Sequence, residues 1–248
     1  MTRKVLILGA SGKIGRHAAQ AFGRAGWQVR LFDRARDDMV AAAQGCDVIV
    51  NGLNPPNYHD WAGLIPAITR QVIAAARASG AMVVIPGNVY NYGARSGALS
   101  EATPQAPYSR KGAVRVEMEQ AYRDSSVQTL ILRAGSFIDP ERNGDVVSLL
   151  LLRAIERGRV TAMGDPGAIQ PYAYVPDWAR AVVSLAEMRD RLARFEDVPF
   201  PGHAFSVNEL RSTLEVELDR SLRLSRFPWW AMRLAAPFWE LARELLEM

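Results

Sequence analysis

The stretch Val5-Leu6-Ile7-Leu8-Gly9-Ala10-Ser11-Gly12-Lys13-Ile14-Gly15 decides the fold. Four consecutive apolar residues that stop at a glycine are the pattern of a short strand covered on both faces. Ile14, Ala18, Phe22 and Ala25 then recur at helical spacing, and Gly26 ends the run. Val29 to Phe32 reads as a second strand, closed by Asp33. A glycine loop that follows a strand and opens a helix in such a βαβ unit is built for a dinucleotide pyrophosphate. Gly9 permits the turn, Gly12 clears the backbone for the phosphates, and Gly15 brings the helix close to the strand. Ser11, Lys13 and Ile14 complete the expected site, with the N–H groups of the helix start facing the anion.

Asp33 stands where an acidic residue binds the ribose hydroxyls of the adenosine half, which favours NAD. Arg34 and Lys13 leave NADP open, since either cation could bind a 2′-phosphate. A hydrolase nucleophile elbow at Ser11 is excluded, because the glycine it needs two residues later is Lys13.

Outward from this unit the chain keeps alternating. Met39 to Ala43 forms a short helix stopped by Gly45, and Asp47 to Val50 a strand. No sequence supplies the further strand that a full sheet carries between them, so one edge is expected to be reduced. Helices at 64–79 and 112–123 alternate with strands at 82–85 and 127–132. Repeated β-then-α order predicts an α/β fold with a Rossmann-type, doubly wound parallel sheet. After Arg133 the pattern changes. Helices are expected at 145–157, 177–189 and 209–219, the last capped by Ser206. Residues 1–135 are therefore read as the dinucleotide domain, and 136–248 as a substrate lobe with returning helices.

With 49% hydrophobic and 23% charged residues, the composition is that of a globular chain. A net charge of only +4, with arginines spread along the chain, argues against a nucleic-acid surface. Cys46 is the single cysteine, so an intrachain disulfide and a thiolate metal cluster are excluded. His17, His59 and His203 show no metal-ligand spacing, and no metal is expected; His17 is read as a surface residue. The N-terminus lacks a signal-peptide pattern and no apolar run reaches the roughly 18 residues of a membrane span. A cytoplasmic protein is expected.

Five segments in order resemble the extended short-chain dehydrogenase/reductases, in particular the NAD-dependent epimerase/dehydratase family. They are the loop Gly9 to Gly15; Gly87-Asn-Val-Tyr-Asn-Tyr-Gly93; Arg110-Lys111 leading into a helix; Leu132-Arg-Ala-Gly-Ser-Phe137; and Tyr174-Val-Pro-Asp-Trp-Ala-Arg-Ala181. The resemblance implies bound NAD(P), a small-molecule substrate such as a nucleotide sugar, and a homodimer.

The catalytic set departs from the family pattern of Ser or Thr, with Tyr four residues before Lys. Asn88 falls at the Ser/Thr position. Lys111 fits the lysine, but Pro107 stands four residues before it and Tyr108 three. Residues three apart still share a helix face. Tyr108 is therefore the candidate acid/base, with Tyr90 and Tyr92 as substitutes. Lys111 binds the nicotinamide ribose, and Asn88 donates to the reacting oxygen. The same departures suit a dinucleotide-binding regulator or redox sensor, which is the alternative reading.

The loop from Asn54 to Trp61 follows a strand end, where ligands bind in open α/β sheets; Asn54 and His59 are candidate substrate or cofactor contacts. Arg133 and Tyr172 could reach a substrate anion or serve the structure. Glu117 and Glu119 point to different helix faces and do not form a paired acid/base. The aromatic run Phe227 to Trp239 reads as a helix packed on the substrate lobe, with a dimer contact, lid or membrane-surface role as alternatives.

Overall fold

The computed structural model describes residues 2–95, 97–141 and 144–247. The last residue of the C-terminal run, Met248, lies outside them. The elements of the first half are β1 (Lys4–Leu8), α1 (Lys13–Arg24), β2 (Gln28–Leu31), α2 (Met39–Ala43), β3 (Val48–Asn51), α3 (Trp61–Ser79), β4 (Met82–Gly87), α4 (Arg110–Asp124) and β5 (Thr129–Arg133). There follow β6 (Ser136–Ile138), β7 (Arg159–Ala162), β8 (Gln170–Tyr174), α5 (Val175–Glu187), β9 (Phe195–Pro199), β10 (His203–Phe205), α6 (Val207–Glu217), β11 (Arg223–Arg226), α7 (Trp229–Ala235) and α8 (Glu240–Leu246). The chain divides into two compact units, one of residues 1–133, 176–200 and 247–248, the other of 134–175 and 201–246.

The first unit is a six-stranded parallel sheet in the order β2-β1-β3-β4-β5-β9. Val5, Leu6, Ile7 and Leu8 are all fully buried, as a strand covered on both faces requires. Among the described residues the sheet begins at β2, whose residues are mostly exposed, so the expected short edge is present. The reason is local. Asp38 caps α2 by accepting the Ala41 N–H at 2.8 Å, and the chain passes from β2 to β3 through this five-residue helix alone. One face of the sheet is packed by α2, α3 and α4, with Met39, Ala43, Ile65, Val72, Ala76, Met118 and Tyr122 over Leu6, Leu8, Ile49, Val83 and Ile131. Gly80 ends α3 at φ 74°, a left-handed cap that favours glycine.

Strand β9 was not anticipated. Its sequence, Phe195-Glu-Asp-Val-Pro199, alternates too weakly to read as a strand. It acquires that state by pairing with β5 from Thr129↔Phe195 to Arg133↔Pro199. The expected returning helix is α5, where Trp178 is fully buried and its indole N–H donates to the Leu132 carbonyl at 3.1 Å.

The second unit holds the three-stranded sheet β10-β8-β6 and the parallel pair β11-β7. The expected helix 145–157 is corrected. It is a π-helical turn at Val147–Leu151 and a 3₁₀ turn at Ile155–Arg157, with Asp145 accepting the Ser148 N–H at 3.0 Å. The apolar spacing is helical, but the register slips to satisfy packing of Val147 and Leu151 on Val160 and Leu222. Helix α6 begins as expected at Ser206, in a reciprocal capping box with Glu209.

Candidate active site

The glycine loop lies between β1 and α1, and three glycines interlock there. A Cβ on Gly15 would stand 2.3 Å from the Gly9 carbonyl oxygen, one on Gly9 2.8 Å from that of Gly52, and one on Gly52 2.8 Å from that of Leu8. Gly9 also has φ +73°. These positions are glycine because backbone meets backbone. Gly52, at the end of β3, was missed in the sequence; its signal was a glycine directly after a buried strand.

Gly12 is different. It is the residue before α1, with φ −82° and ψ 167°, a conformation open to any side chain. A Cβ there would meet only the Gly9 oxygen, at 3.4 Å, an ordinary contact. No side chain caps α1 and its first turn carries no acidic residue, so the helix start presents its N–H groups and positive dipole end without a competing anion from these positions. The loop therefore leaves the helix start open beside Gly12, where a phosphate group fits.

Asp33 follows β2. Its carboxylate accepts the Ala35 N–H at 3.0 Å and lies 3.5 Å from Arg36 Nε, so it shapes the turn while remaining half exposed. Beside it a cavity of about 390 Å³ is lined by Phe32, Arg34, Asp38, Met39, Leu53 and Ile68.

The loop after β3 is strained. Asn57, Tyr58 and Asp60 have φ of 53°, 61° and 40°, unfavourable for residues other than glycine and tolerated mainly where surroundings hold them. Asn54 Oδ1 accepts from Arg115 Nη2 at 3.0 Å, and the Arg115 guanidinium lies 4.7 Å from the Trp61 ring centre. His59 in this loop is exposed and Tyr58 is half-buried against the core. Burial, then the neighbouring Tyr90 and its hydrogen bond, push the Tyr58 hydroxyl above the usual tyrosine range.

Ser109 caps α4 by accepting the Gly112 N–H at 3.0 Å. Tyr108 lies before this cap, outside α4, and is 66% exposed, so it does not share a helix face with Lys111 as the spacing suggested. Lys111, in the first turn, is buried; its Nζ lies 5.2 Å from the Tyr58 ring centre and 3.0 Å from Glu247 Oε2. Asn88 follows β4, and its Oδ1 accepts the Tyr90 N–H at 3.0 Å, leaving its amide NH₂ as the donor side.

Arg133 has a structural role. It is buried and donates to Asp197 at 3.0 and 2.6 Å, to Glu119 at 3.1 and 2.8 Å, and to the Asn88 carbonyl at 2.6 Å. Burial opposes its charge, but the bonds to Asp197 and Glu119 outweigh that and raise its pKa. The guanidinium thus ties the Asn88 loop to α4, β5 and β9. Glu119 is buried here and Glu117 exposed, in keeping with different helix faces. His17 is corrected: it is 3% exposed, with Arg16 Nη2 3.4 Å from its Nε2. In the second unit Tyr172 stacks on Phe205 at 4.1 Å, and His203 is exposed. Trp229 donates to the Met163 carbonyl at 2.6 Å, so part of the aromatic run packs within that unit.

A doubly wound parallel sheet with a phosphate loop after its first strand defines a dinucleotide-binding α/β protein. The pattern of the NAD dependent epimerase/dehydratase family matches residues 5–198, and the chain belongs to that family. A search of curated proteins finds no significant match. The solved UDP-glucuronic acid 4-epimerase from Bacillus cereus, in complex with UDP-glucuronic acid and NAD, is similar with TM-score 0.75 and 20% identity, over 90% of this chain and 86% of that one. TunA, an NAD dependent NDP-hexosamine 5,6-dehydratase involved in tunicamycin biosynthesis, is similar with TM-score 0.73 and 20% identity, over 91% and 84%. At such identities the likeness is one of fold. Among the described residues no helix is long and apolar enough to cross a membrane, and no cluster of His, Cys, Asp or Glu is arranged to hold a metal.

Proposed function

We propose that the chain is an NAD-dependent enzyme of the epimerase/dehydratase type, acting on a nucleotide sugar or a similar small hydroxy or carbonyl compound. The observation that carries this reading is Gly12, a glycine required neither by its backbone angles nor by its packing. A ligand that approaches the backbone accounts for it. Family membership and the likeness to NAD-bound epimerases favour an enzyme over a regulator or redox sensor.

In this reading Gly9, Ser11, Gly12, Lys13, Ile14 and Gly15 hold the pyrophosphate. Asp33 holds the adenosine ribose and disfavours a 2′-phosphate, and the cavity beside Phe32 and Arg34 takes the adenine. Asn54 and Lys111 serve the nicotinamide half. When bound, NAD supplies a carbon that takes and returns a hydride. The Tyr108 hydroxyl moves the proton of the reacting oxygen, and the Asn88 NH₂ orients that oxygen. The enzyme is assigned to the cytoplasm as a homodimer.

Gly12→Ser tests the reading. Serine is a better helix cap than glycine, so stability should hold or rise by a few tenths of a kcal/mol. NAD affinity, measured by calorimetry, should fall at least about tenfold, because the serine occupies the phosphate cradle. Equal NAD affinity in both proteins would sink the reading. For the reaction itself, Tyr108→Phe should lower turnover of a nucleotide-sugar substrate by about 10²–10⁴-fold with NAD affinity unchanged. Turnover at the unaltered rate would remove Tyr108 from its role.

A further inference from the structure

Glu247 makes a set of contacts that the proposed reaction does not use. Its carboxylate lies 3.0 Å from Lys111 Nζ, accepts the Lys111 backbone N–H at 3.2 Å, and lies 3.2 Å from Arg110 Nη2. Arg110 contributes little, since its own side chain is 80% exposed and solvent screens the pair. The contacts to Lys111 differ. The Lys111 side chain is 3% exposed and that of Glu247 17%. A buried ammonium needs a counter-charge, and Glu247 supplies it. The carboxylate also takes one of the N–H groups that the first turn of α4 leaves unpaired, at the helix end where the dipole favours an anion. Burial alone would raise the Glu247 carboxyl, but the hydrogen bonds and charges of Lys111 and Arg110 hold it below the usual carboxylate range.

Lys111 is the group that the proposed function assigns to the nicotinamide ribose. In this state its Nζ is closed to solvent, so a ribose hydroxyl that takes it has to displace a neighbour. The Glu247 carboxylate is such a neighbour. Glu247 lies just after helix α8, and its side chain is 17% exposed. The Tyr58 ring, also near Nζ, is adjacent to the buried Trp61 at a ring separation of 5.2 Å.

We propose that Glu247 is an internal competitor for Lys111: the short segment that carries it has to release Nζ before the nicotinamide half of a dinucleotide is held there. The inference rests on the assignment of Lys111 above. Competition is reciprocal, so whatever favours the bound dinucleotide favours release of the segment, and the reverse. If roughly one molecule in ten has the segment released, the apparent affinity of the unaltered protein is weakened about tenfold.

The experiment measures NAD binding by calorimetry to the unaltered chain, Glu247→Gln, Lys111→Met and the double variant, with melting curves for each. Glu247→Gln is expected to bind NAD about tenfold more tightly, and the same change in the Lys111→Met background to have no effect. Glu247→Ala, which also removes the carboxylate, is expected to bind NAD about tenfold more tightly as well. Equal or weaker binding by folded Glu247→Gln, with NAD still bound by the unaltered chain, overturns the competition and leaves the dinucleotide site standing. Absence of NAD binding in both overturns the competition together with the function it rests on. Glu247→Ala carries the same test if Glu247→Gln does not fold: equal or weaker NAD binding by it overturns the competition.

Discussion

The glycine loop and the segment from Asn88 to Lys111 both follow parallel strands of one sheet, yet they are held in opposite ways. The loop is fixed by backbone against backbone: Gly9, Gly15 and Gly52 touch with no side chain between them. The other segment is fixed by side chains, with Arg133 on the Asn88 carbonyl, Ser109 on the start of α4 and Glu247 on Lys111. The first arrangement tolerates no added atom and needs no partner from afar. The second depends on charges brought from distant parts of the chain.

Breaking the first arrangement should have the largest effect. Gly15→Val puts a side chain 2.3 Å from the Gly9 carbonyl, at a contact between backbone atoms that cannot turn aside. We expect a loss of about 4 kcal/mol or more, read as failure to melt cooperatively. A stable, NAD-binding Gly15→Val would mean that the loop is looser than its contacts imply. Breaking the second arrangement at its charge centre comes next. Arg133→Met leaves Glu119 and Asp197 without their counter-charge and should cost about 3–5 kcal/mol in urea denaturation. A loss below about 1 kcal/mol, the range of an exposed pair, would show that solvent replaces the guanidinium and that the triad does not hold the Asn88 loop. Gly12→Ser sharpens the contrast within the loop itself, since it should affect ligand and leave stability alone. The smallest effect is expected at Asp33. Its carboxylate is half exposed and caps a turn, so Asp33→Ser, which can still accept the Ala35 N–H, should change stability by less than about 0.5 kcal/mol. The ratio of NAD to NADP affinity should drop about tenfold, because the repulsion of a 2′-phosphate is gone and Arg34 remains. An unchanged ratio would limit Asp33 to its turn.

The same contrast separates what could be read in the chain from what could not. The loop was legible because its requirements are local: a strand end, a turn with positive φ and a helix start lie within eleven residues. Helix α6 was legible for the same reason, through Ser206 and Glu209. The helix expected at 145–157 failed because periodicity alone does not distinguish an α-helix from a π-helical turn that lets Val147 and Leu151 pack. Tyr58 was obscured because its burial follows from left-handed backbone in a loop whose composition reads as polar surface. His17 was misplaced because the apolar face of α1, read from Ile14, Ala18 and Phe22, is wider than those residues mark.

The sequence by itself determined the alternating α/β order, the phosphate loop with Asp33 after the second strand, and the short connection that ends the sheet at β2. Each follows from hydrophobic period, glycine geometry or a cap within one element. Only the tertiary structure decided that β9 joins the sheet beside β5, that Arg133 serves Glu119 and Asp197, and that Glu247 lies on Lys111. Those pairings span 64 and 136 residues in the bonds from Arg133 to Asp197 and from Lys111 to Glu247. Charges so far apart have no periodic signature. They meet because burial of one ionised group forces the chain to supply its partner from wherever the fold brings it near.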